Sequence, residues 1–394
     1  MTVWNDAAYT ERLAHANWMA NTAVLMHLNE RATGDPARDW LSSWAHRWFA
    51  GQDLHVLVLG CGEGWLERAI AEWPFVARID AVDFAADAVA RARELGCDIP
   101  KIEYGVVDLE RDELPRDAYD VVIAHSVLHH VDNLEHAYAQ IERCMRPDAT
   151  LIVNEYAGPN RFQYSDDVSA MIDALLRALP EELRRPYDSR ARPSVEEMIA
   201  NDPTEAVRAE ELVAWTERVF DVRERKNIGG TILQHLLYDI VQNFRFDVPR
   251  ERSLLQMLCA IEAMLVDSGR IPCDFVLMAA RKKGSRVNAV SRALPPRTDA
   301  ANDVEGDPLA GSRTVRCERS NPNPLTHHHL RLLRLALLSQ QQTRANLFEE
   351  SAWYSWRERF RARRCDPFDW LLARAPDDPA VRSLLETAAT LARA

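Results

Sequence analysis

Residues 56–65 read VLVLGCGEGW, so Gly60, Gly62 and Gly64 directly follow a short apolar segment. Glycine adopts backbone dihedrals that other residues avoid, and its missing side chain lets a ligand approach the main chain closely. The apolar segment predicts a strand and the following WLERAIAEW predicts a helix, which favours a cofactor-binding loop over a simple tight turn. The glycines alone do not identify the cofactor, because the third glycine of the dinucleotide pattern G-x-G-x-x-G is absent.

Two carboxylates close the second and third predicted strands. Asp83 lies near the end of RIDAVDF, where a carboxylate can accept hydrogen bonds from both hydroxyls of a ribose. The alternative is that Asp83 caps the helix predicted at 85–96, and the neighbouring Phe84 either faces a base or belongs to the core. Asp108 lies in VVDL and could accept a hydrogen bond from an exocyclic amino group, with the backbone amide of Leu109 completing the contact. A solvated loop aspartate is the alternative for Asp108.

Candidate catalytic residues follow the fourth and fifth predicted strands. His129 and His130 lie in HSVLHHVD, and an imidazole can take a proton from a substrate near neutral pH. Their alternative role is to hydrogen-bond the strand end. Glu155 is the third catalytic candidate, and with Tyr156 it is predicted to face the same crevice and orient a hydroxyl or an amine, or to brace the lid. Arg161 could bind a carboxylate or phosphate of the substrate. Tyr156 and Arg161 are therefore the candidate substrate-binding residues.

Short apolar strands alternate with amphipathic helices from residue 54 to residue 158. This rhythm predicts βαβ units and a parallel sheet that is buried on both faces. Ligands of such sheets bind beyond the carboxyl ends of the strands, near the point where the strand order reverses. The glycines, the carboxylates and the histidines are all predicted to lie at that edge.

Helical segments flank this alternating region. Residues 1–50 and 159–218 are predicted to form helices that close as a lid over the site and exclude water. Two later segments, 219–230 and 273–284, are predicted strands that could pair at the sheet edge. Between them, residues 231–244 are predicted to form one helix.

The chain divides by composition after the last predicted strand. The main domain is predicted at 51–284, and the segment 285–325, rich in Ser, Pro, Asn, Asp, Gly and Thr, is a predicted linker. Residues 326–394 are a predicted helical extension that could form a homodimer, dock on a pathway partner or pack on the main domain. Its basic stretch RERFRARR at 357–364 is interpreted as a solvated helix face. The histidines at 327–329 are interpreted as a solvated turn, and no metal site is expected.

The composition excludes several classes of protein. The chain has 394 residues, 47% of them hydrophobic, and a formal net charge of −12, which argues against nucleic acid as a partner. The 7 cysteines include no CxxC, which is typical of free thiols in a reducing compartment, and Cys61 is interpreted as a small packing residue of the glycine loop. The N-terminus lacks the apolar region of a signal peptide, and no apolar run approaches the ~20 residues of a membrane span. We therefore expect a cytoplasmic protein without a membrane span.

Taken together, these motifs resemble the Rossmann-like (class I) S-adenosylmethionine-dependent methyltransferases. VLVLGCGEGW is similar to their first motif, AVDFA to their ribose-binding acidic loop, and VVDLERDELPRDAYDVVIAHSVLHHV to their adenine-side motif and fourth strand. MRPDATLIVNEY is similar to their turn into the fifth strand, although RPDA lacks the two glycines of that turn. The resemblance implies S-adenosylmethionine as the cofactor. The residues that it assigns to cofactor binding are Gly60, Cys61, Gly62, Gly64, Asp83, Phe84, Asp108, Leu109 and His125.

The specific resemblance covers residues 50–158, and a looser one extends over 1–284. The looser resemblance, carried by NEYAGPNRFQ, DPTEAVRAEEL and GGTILQHLL, is to a subgroup often associated with polysaccharide or secondary-metabolite pathways. The family resemblance implies a mostly parallel seven-stranded α/β sheet with helices on both faces. The helical N-terminal lid and the helical C-terminal extension are predicted from the residues themselves, and the part of the chain after residue 285 resembles no family. The implied reaction is methyl transfer to a small-molecule or glycan acceptor, with oxygen as the expected atom and nitrogen or carbon as alternatives. Two further classes compatible with a glycine loop of this kind are a nicotinamide-dependent oxidoreductase and a non-catalytic binding module.

Overall fold

The computed structural model describes most of the chain, namely residues 16–285, Leu332, Leu335, 367–373, Ala375 and 377–393. Residues 1–15 of the predicted lid, all but Ser285 of the predicted linker, and the basic stretch at 357–364 lie outside the described residues. So do the consecutive histidines at 327–329. Among the described helices, none combines the length and the apolar character that a membrane crossing requires.

The described strands form one seven-stranded sheet in the order β3-β2-β1-β4-β5-β7-β6. The strands are β1 (Leu54–Leu59), β2 (Val76–Asp83), β3 (Ile102–Val106), β4 (Tyr119–His125), β5 (Met145–Tyr156), β6 (Phe220–Gly229) and β7 (Phe275–Lys282). Strands β1 to β5 pair in parallel, whereas β7 runs antiparallel to both β5 and β6. The predicted mostly parallel sheet is confirmed, and the two late strands do pair at its edge.

Helices cover both faces of the sheet. The described helices are α1 (Thr22–Thr33), α2 (Trp40–Trp48), α3 (Trp65–Ala71), α4 (Ala86–Leu95), α5 (Leu134–Cys144), α6 (Asp166–Ala178), α7 (Glu181–Arg184), α8 (Val195–Asn201), α9 (Leu212–Val219), α10 (Leu233–Leu237), α11 (Pro249–Asp267), α12 (Pro367–Leu372) and α13 (Pro379–Arg393). Val56 and Val58 of β1 belong to an apolar cluster with residues of α6, α11 and α13, while Leu57 and Leu59 belong to a second cluster with α5 and α9. Burial on both faces explains why β1 is almost continuously apolar.

The order of the strands brings the predicted site residues to one edge. Strand β1 lies between β2 and β4, and β4 lies between β1 and β5. The chain crosses from one side of β1 to the other at this point, which is where open α/β sheets bind ligands. The loops that follow β1, β2, β4 and β5 therefore converge at the carboxyl edge.

The single helix predicted at 231–244 is wrong. Helix α10 ends at Leu237, Asp239 adopts a left-handed φ of 60°, and a short 3₁₀ turn follows at Val241–Asn243. The break lets the buried residues before and after Asp239 both face the core. Aspartate tolerates this conformation, so the apolar spacing alone does not reveal the interruption.

The C-terminal helix lies against the main domain. Helix α13 packs on α6 and α11, and its apolar side chains join the cluster on that face of the sheet. An ion pair between Arg250 Nε and Asp378 Oδ2, 2.8 Å apart, links α11 to the residue that precedes α13. Of the three roles considered for the predicted extension, packing on the main domain is therefore the one that its described residues show.

Candidate cofactor and acceptor site

The glycine loop after β1 has a left-handed backbone at each of its glycines. The φ angles are 67° at Gly60, 52° at Gly62 and 85° at Gly64, a region that favours glycine. A Cβ atom on Gly60 would lie 2.5 Å from Cβ of Val127, so Gly60 lets the loop after β4 pack against the glycine loop. A Cβ atom on Gly62 would meet no atom within 4 Å. The backbone of Gly62 thus faces open space, as a cofactor-binding loop requires.

The Asp83 carboxylate ties the glycine loop to the end of β2. Its Oδ2 accepts a hydrogen bond from the Gly62 amide at 2.9 Å, and its Oδ1 accepts one from the Ala85 amide at 2.9 Å. The capping alternative for Asp83 is wrong, because the N-cap of α4 is Ala85 and no side chain caps this helix. The bond to the Ala85 amide forms a turn before the helix, and the carboxylate lies beside the glycine loop. The ribose role stays a prediction. The neighbouring Phe84 is 40% exposed, so its ring is available to a ligand rather than part of the core.

The Asp108 carboxylate is held within its own turn. Its Oδ1 accepts a hydrogen bond from the Glu110 amide at 2.9 Å, and its Oδ2 lies 3.3 Å from Nη1 of Arg111. Leu109 is buried and packs with the second apolar cluster. Asp108 thus lies in a solvated turn beyond β3, at the edge where β2 ends, and its contact with an adenine ring stays a prediction.

His125 and Cys61 complete the residues predicted to contact the cofactor. The His125 ring lies between the rings of Trp40 and Trp65, with centroids 5.4 Å and 5.6 Å away. Burial lowers the pKa of His125, and its Nδ1 has no hydrogen-bond partner among the described residues. Burial, with the charges of Glu67 and Asp83, raises the pKa of the Cys61 thiol well above its ordinary range, which suits a packing residue.

The residues at this edge fit S-adenosylmethionine. Open space beside Gly62 admits a ligand against the backbone, and Asp83 and Asp108 offer carboxylates at the ends of β2 and β3. The buried Nδ1 of His125 is a polar atom that a ligand can satisfy. Trp40, at the start of α2, lies over His125 and supports the prediction of an N-terminal lid.

Glu155 is buried behind the loop that follows β4. Its Oε1 accepts hydrogen bonds from the amides of Val127 and Leu128, each at 2.8 Å, and its Oε2 lies 2.7 Å from Nδ1 of His129. Burial alone would raise the pKa of Glu155, but these donors and the charge of His129 lower it, so the carboxylate is ionised. The expectation that Glu155 faces the crevice as a catalytic residue is wrong, because it has no exposed surface. Glu155 is a positioning residue that orients His129.

His129 and His130 lie side by side in a short 3₁₀ turn, with ring centroids 4.2 Å apart. Nε2 of His129 is 3.6 Å from Oε1 of Glu205, and Nε2 of His130 is 4.0 Å from Oε2 of the same residue. Nδ1 of His130 is 3.1 Å from Oγ1 of Thr204, which donates a hydrogen bond to Oδ1 of Asp202 at 2.7 Å. The two imidazoles therefore converge on Glu205.

The two histidines have opposite pKa shifts. Burial alone would lower the pKa of His129, but the hydrogen bond with Glu155 and the charges of Glu155 and Glu205 raise it. Burial and the nearby charge of His129 lower the pKa of His130. The pair thus offers one imidazole that favours the charged form and one that favours the neutral form.

Glu205 is a site residue that the sequence did not single out. It lies in DPTEAVRAEEL, a segment noted for its family resemblance but not for any chemistry. This segment is far from the histidines in sequence, and only the folded chain brings it over them. Four acidic residues in an otherwise loop-like segment were the available signal.

Arg161 holds the Glu205 segment in place. Its guanidinium donates hydrogen bonds to the carbonyls of Pro203 at 2.7 Å and Glu205 at 2.9 Å, and its own amide donates to the carbonyl of Ala206 at 2.8 Å. The amide of Val207 donates to the carbonyl of His129 at 3.1 Å. The expectation that Arg161 binds an anionic group of the substrate is wrong, since the guanidinium is already bound to main-chain carbonyls.

Tyr156 is a buried residue that supports the loop after β5, next to Arg161. Only 2% of its surface is exposed, and its hydroxyl donates a hydrogen bond to the carbonyl of Pro159 at 2.9 Å. Its ring packs edge-on against the rings of Phe162 and Phe275, at centroid distances of 4.9 Å and 5.5 Å. The expectation that Tyr156 contacts the substrate is wrong, and its alternative role as a brace agrees with the structure.

Comparison with known proteins identifies the central part of the chain. Residues 57–153 match a family model described as a methyltransferase domain. A malonyl-[acyl-carrier protein] O-methyltransferase of Halalkalibacterium halodurans is 29% identical over 110 residues, covering 27% of this chain and 40% of that protein. A ubiquinone biosynthesis O-methyltransferase of Rickettsia conorii is 31% identical over 103 residues, covering 26% of this chain and 34% of that protein. This chain spans about half or less of the length of the curated relatives it matches.

A solved structure also matches part of this chain at low sequence identity. It is the S-adenosylmethionine dependent methyltransferase of Mesorhizobium loti, which is 18% identical in sequence. The match has a TM-score of 0.37 and covers 62% of this chain and 97% of the Mesorhizobium chain. The matched model and the seven-stranded sheet agree with the predicted family. Residues 57–153 belong to the class I S-adenosylmethionine-dependent methyltransferases, an enzyme family whose cofactor is S-adenosylmethionine.

Proposed function

We propose that the protein transfers a methyl group from S-adenosylmethionine to an oxygen atom of a small-molecule or glycan acceptor. The observation that carries this proposal is the contact between the two loops of the site. Val127 packs against Gly60 of the cofactor loop, and its amide donates a hydrogen bond to Glu155, which in turn holds His129. The cofactor loop and the His129–His130–Glu205 cluster are therefore neighbours in one rigid edge.

The chain's contribution to cofactor binding follows from the geometry of the carboxyl edge. Gly62 leaves space against the backbone for the methionine part, and the Asp83 carboxylate lies where it can accept from the ribose hydroxyls. Asp108 and the amide of Leu109 are proposed to contact the adenine ring. S-adenosylmethionine supplies a methyl group on a sulfonium, which is a good leaving group. The protein has mainly to hold the acceptor close and in line, and such positioning can account for much of a rate enhancement.

An oxygen acceptor also has to lose its proton. The cluster of His129, His130 and Glu205 is linked to the glycine loop through Val127, which packs on Gly60 and donates to the carboxylate that holds His129. A positioned imidazole or carboxylate can take a proton in the transition state. We therefore place the acceptor hydroxyl beside this cluster, with His129 or His130 as the predicted base.

Two observations favour oxygen over the other acceptor atoms. Both curated relatives described above are named O-methyltransferases. The cluster beside the proposed acceptor position contains groups that can remove a hydroxyl proton. The acceptor itself is set by segments outside the matched residues, notably the one that carries Glu205. A small molecule or a glycan is our proposal because the looser family resemblance lies in those same segments.

The alternatives make different predictions. A nicotinamide-dependent oxidoreductase would need the third glycine of the dinucleotide pattern, which this loop lacks. A non-catalytic module would bind the cofactor without turnover. Methyl transfer to nitrogen or carbon would use the same cofactor site with a different acceptor.

The proposal is tested with S-adenosylmethionine that carries a trideuteromethyl group. The full chain is incubated with panels of hydroxyl, carboxyl and amino acceptors, including sugars, and S-adenosylhomocysteine and labelled products are followed by mass spectrometry. We expect label on oxygen and its loss in the Asp83→Ala variant. Label on nitrogen or carbon would contradict the choice of acceptor atom, and reduction of NAD with substrate would replace the proposal.

A further inference from the structure

We propose that His129, His130 and Glu205 bind a divalent transition-metal ion. One ligand atom from each residue lies within 4.8 Å of the other two. The histidines come from the turn after β4, and Glu205 comes from a segment between α8 and α9. Two parts of the chain that are distant in sequence thus meet at three groups that are common metal ligands.

The spacing of these atoms suits a shared ion better than direct hydrogen bonds. The Nε2 atoms of His129 and His130 lie 3.6 Å and 4.0 Å from the Glu205 oxygens, beyond ordinary hydrogen-bond distance. Two ligands that each lie ~2.1 Å from a tetrahedral ion are about 3.4 Å apart. Because the three ligand atoms lie within 4.8 Å of one another, side-chain movements on the order of 1 Å would bring them to the spacing of ligands that share an ion.

Outer partners orient both imidazoles toward the same point. Oε2 of Glu155 lies 2.7 Å from Nδ1 of His129, and this contact directs Nε2 toward Glu205. Because the Thr204 hydroxyl donates to Asp202, its oxygen can accept from Nδ1 of His130 at 3.1 Å. A hydrogen-bond acceptor behind Nδ1, often a carboxylate, is the usual partner of a histidine that binds a metal through Nε2.

The charges around the cluster also favour a cation. Glu155 has no exposed surface and Asp202 only 3%, so two buried carboxylates lie behind the imidazoles while Glu205 lies in front. Buried negative charge is costly unless it is paired or coordinates a metal. A divalent ion bound among these three groups would offset the negative charge of these carboxylates.

The ligand set indicates the kind of ion. Imidazole nitrogens suit Zn²⁺, Fe²⁺, Ni²⁺ and Cu²⁺, and two histidines with one carboxylate form a common three-ligand set with open positions. All-oxygen sites are the ones that suit Mg²⁺ and Ca²⁺. The chemical role rests on the proposed function: a hydroxyl of the acceptor bound at an open position would have a lower pKa and would release its proton to solvent water before it attacks the methyl group. In that case the imidazoles act as ligands rather than as bases.

Cobalt(II) is the probe for the test, because its visible absorption bands report the ligands around the ion. The full chain is freed of metal with a chelator and titrated with Co²⁺ while the visible spectrum is recorded. We expect one equivalent to bind with bands typical of nitrogen and oxygen ligands. Glu205→Gln and His130→Gln should each weaken binding at least about tenfold. Glu210→Gln is the matched control, because Glu210 is exposed on the same segment and lies outside the cluster.

Binding of S-adenosylhomocysteine by each variant separates the possible failures. The Glu205→Gln variant should bind S-adenosylhomocysteine as the parent does, which shows that it is folded and that the cofactor site is intact. The metal site would be overturned if the parent showed no Co²⁺ bands. It would also be overturned if the bands of the parent persisted unchanged in both Glu205→Gln and His130→Gln. Neither outcome would contradict the methyltransferase proposal. Failure of the parent to bind S-adenosylhomocysteine would contradict the methyltransferase proposal but would not contradict the metal site.

Discussion

Nδ1 of His129 lies 2.7 Å from Oε2 of Glu155, a fully buried carboxylate at the end of β5. The other oxygen of Glu155 accepts from the amides of Val127 and Leu128. One carboxylate therefore fixes both the path of the loop after β4 and the direction of an imidazole. Since Val127 also packs on Gly60, this arrangement connects the cofactor loop with the proposed acceptor site.

Replacing Glu155 should separate its two effects. Glu155→Ala leaves two buried amides and one imidazole without an acceptor, so we expect the free energy of unfolding to fall by on the order of 3–5 kcal/mol. Glu155→Gln keeps an amide oxygen for the backbone and should cost about 1–2 kcal/mol. Its affinity for Co²⁺ should nevertheless fall about 10- to 100-fold, because the amide orients His129 less well. Unchanged Co²⁺ affinity in a stable Glu155→Gln variant would show that Glu155 serves stability alone.

Two glycines of the cofactor loop should respond differently to alanine. Gly60→Ala places a methyl group 2.5 Å from Cβ of Val127 at a left-handed φ, so it should cost about 3 kcal/mol of stability. Gly62→Ala meets no atom within 4 Å and should cost only about 1 kcal/mol, from its φ of 52°. Its methyl group should instead obstruct the cofactor and weaken S-adenosylhomocysteine binding at least about tenfold. Denaturant unfolding and calorimetric titration measure the two effects, and full affinity in Gly62→Ala would place the cofactor elsewhere.

Arg161 should act on the segment that carries Glu205 and not directly on the acceptor. Arg161→Ala removes donors to the carbonyls of Pro203 and Glu205, so the 202–206 segment should loosen. We expect faster hydrogen exchange in that segment and weaker Co²⁺ binding, with S-adenosylhomocysteine affinity unchanged. Arg177→Ala, on the surface of α6, is the comparison variant. If Arg161→Ala raised the KM for anionic acceptors alone and left hydrogen exchange untouched, the original expectation of an anion-binding arginine would return.

Asp274 should make stability depend on pH. Burial, and then the charge of Glu262, raise the pKa of Asp274 to about 7, although a hydrogen bond with the Thr231 side chain acts in the opposite direction. The folded protein therefore holds a proton that the unfolded chain releases near its ordinary pKa. The contribution of Asp274 to stability is complete below about pH 4 and is lost as pH rises to about 7.

An Asp274→Asn variant isolates this effect. Between about pH 5 and about pH 8, the parent should lose roughly 2–3 kcal/mol of unfolding free energy relative to the variant. Denaturant unfolding of both proteins at the two pH values measures the difference. A parent that gained stability over this interval, relative to Asp274→Asn, would show that the carboxyl is ionised in the fold.

The sheet and the cofactor edge were predictable because their signals are local. Strand β1 is apolar except for His55 and is followed by the glycine loop, and Asp83 ends the next strand, so periodicity and turn chemistry place both at one edge. The sequence did not show that the Phe84 ring is exposed or that Asp83 bonds the amides of Gly62 and Ala85, because a core phenylalanine and a helix-capping aspartate fit the same residues.

The acceptor side depended on contacts between distant segments. Tyr156 and Glu155 are adjacent on β5, yet the sequence does not show that both are buried and already hydrogen-bonded. Arg161 looked available for an anion, whereas main-chain carbonyls of another segment bind it. Glu205 lies beside the histidines only because the segment that carries it packs on Arg161 and on the turn after β4. The residue types that support a site from behind are the same as those that face the ligand. Only the tertiary structure therefore shows which role a given side chain has.

The most direct measurement is calorimetric titration of the full chain with S-adenosylhomocysteine, beside NAD. The parent should bind S-adenosylhomocysteine at micromolar concentrations and should not bind NAD. Asp83→Ala removes the carboxylate beside Gly62 and should weaken binding at least about tenfold, whereas Asp98→Ala, at an exposed position beyond α4, should not. A folded parent that does not bind S-adenosylhomocysteine, or that binds NAD instead, would contradict the proposed function.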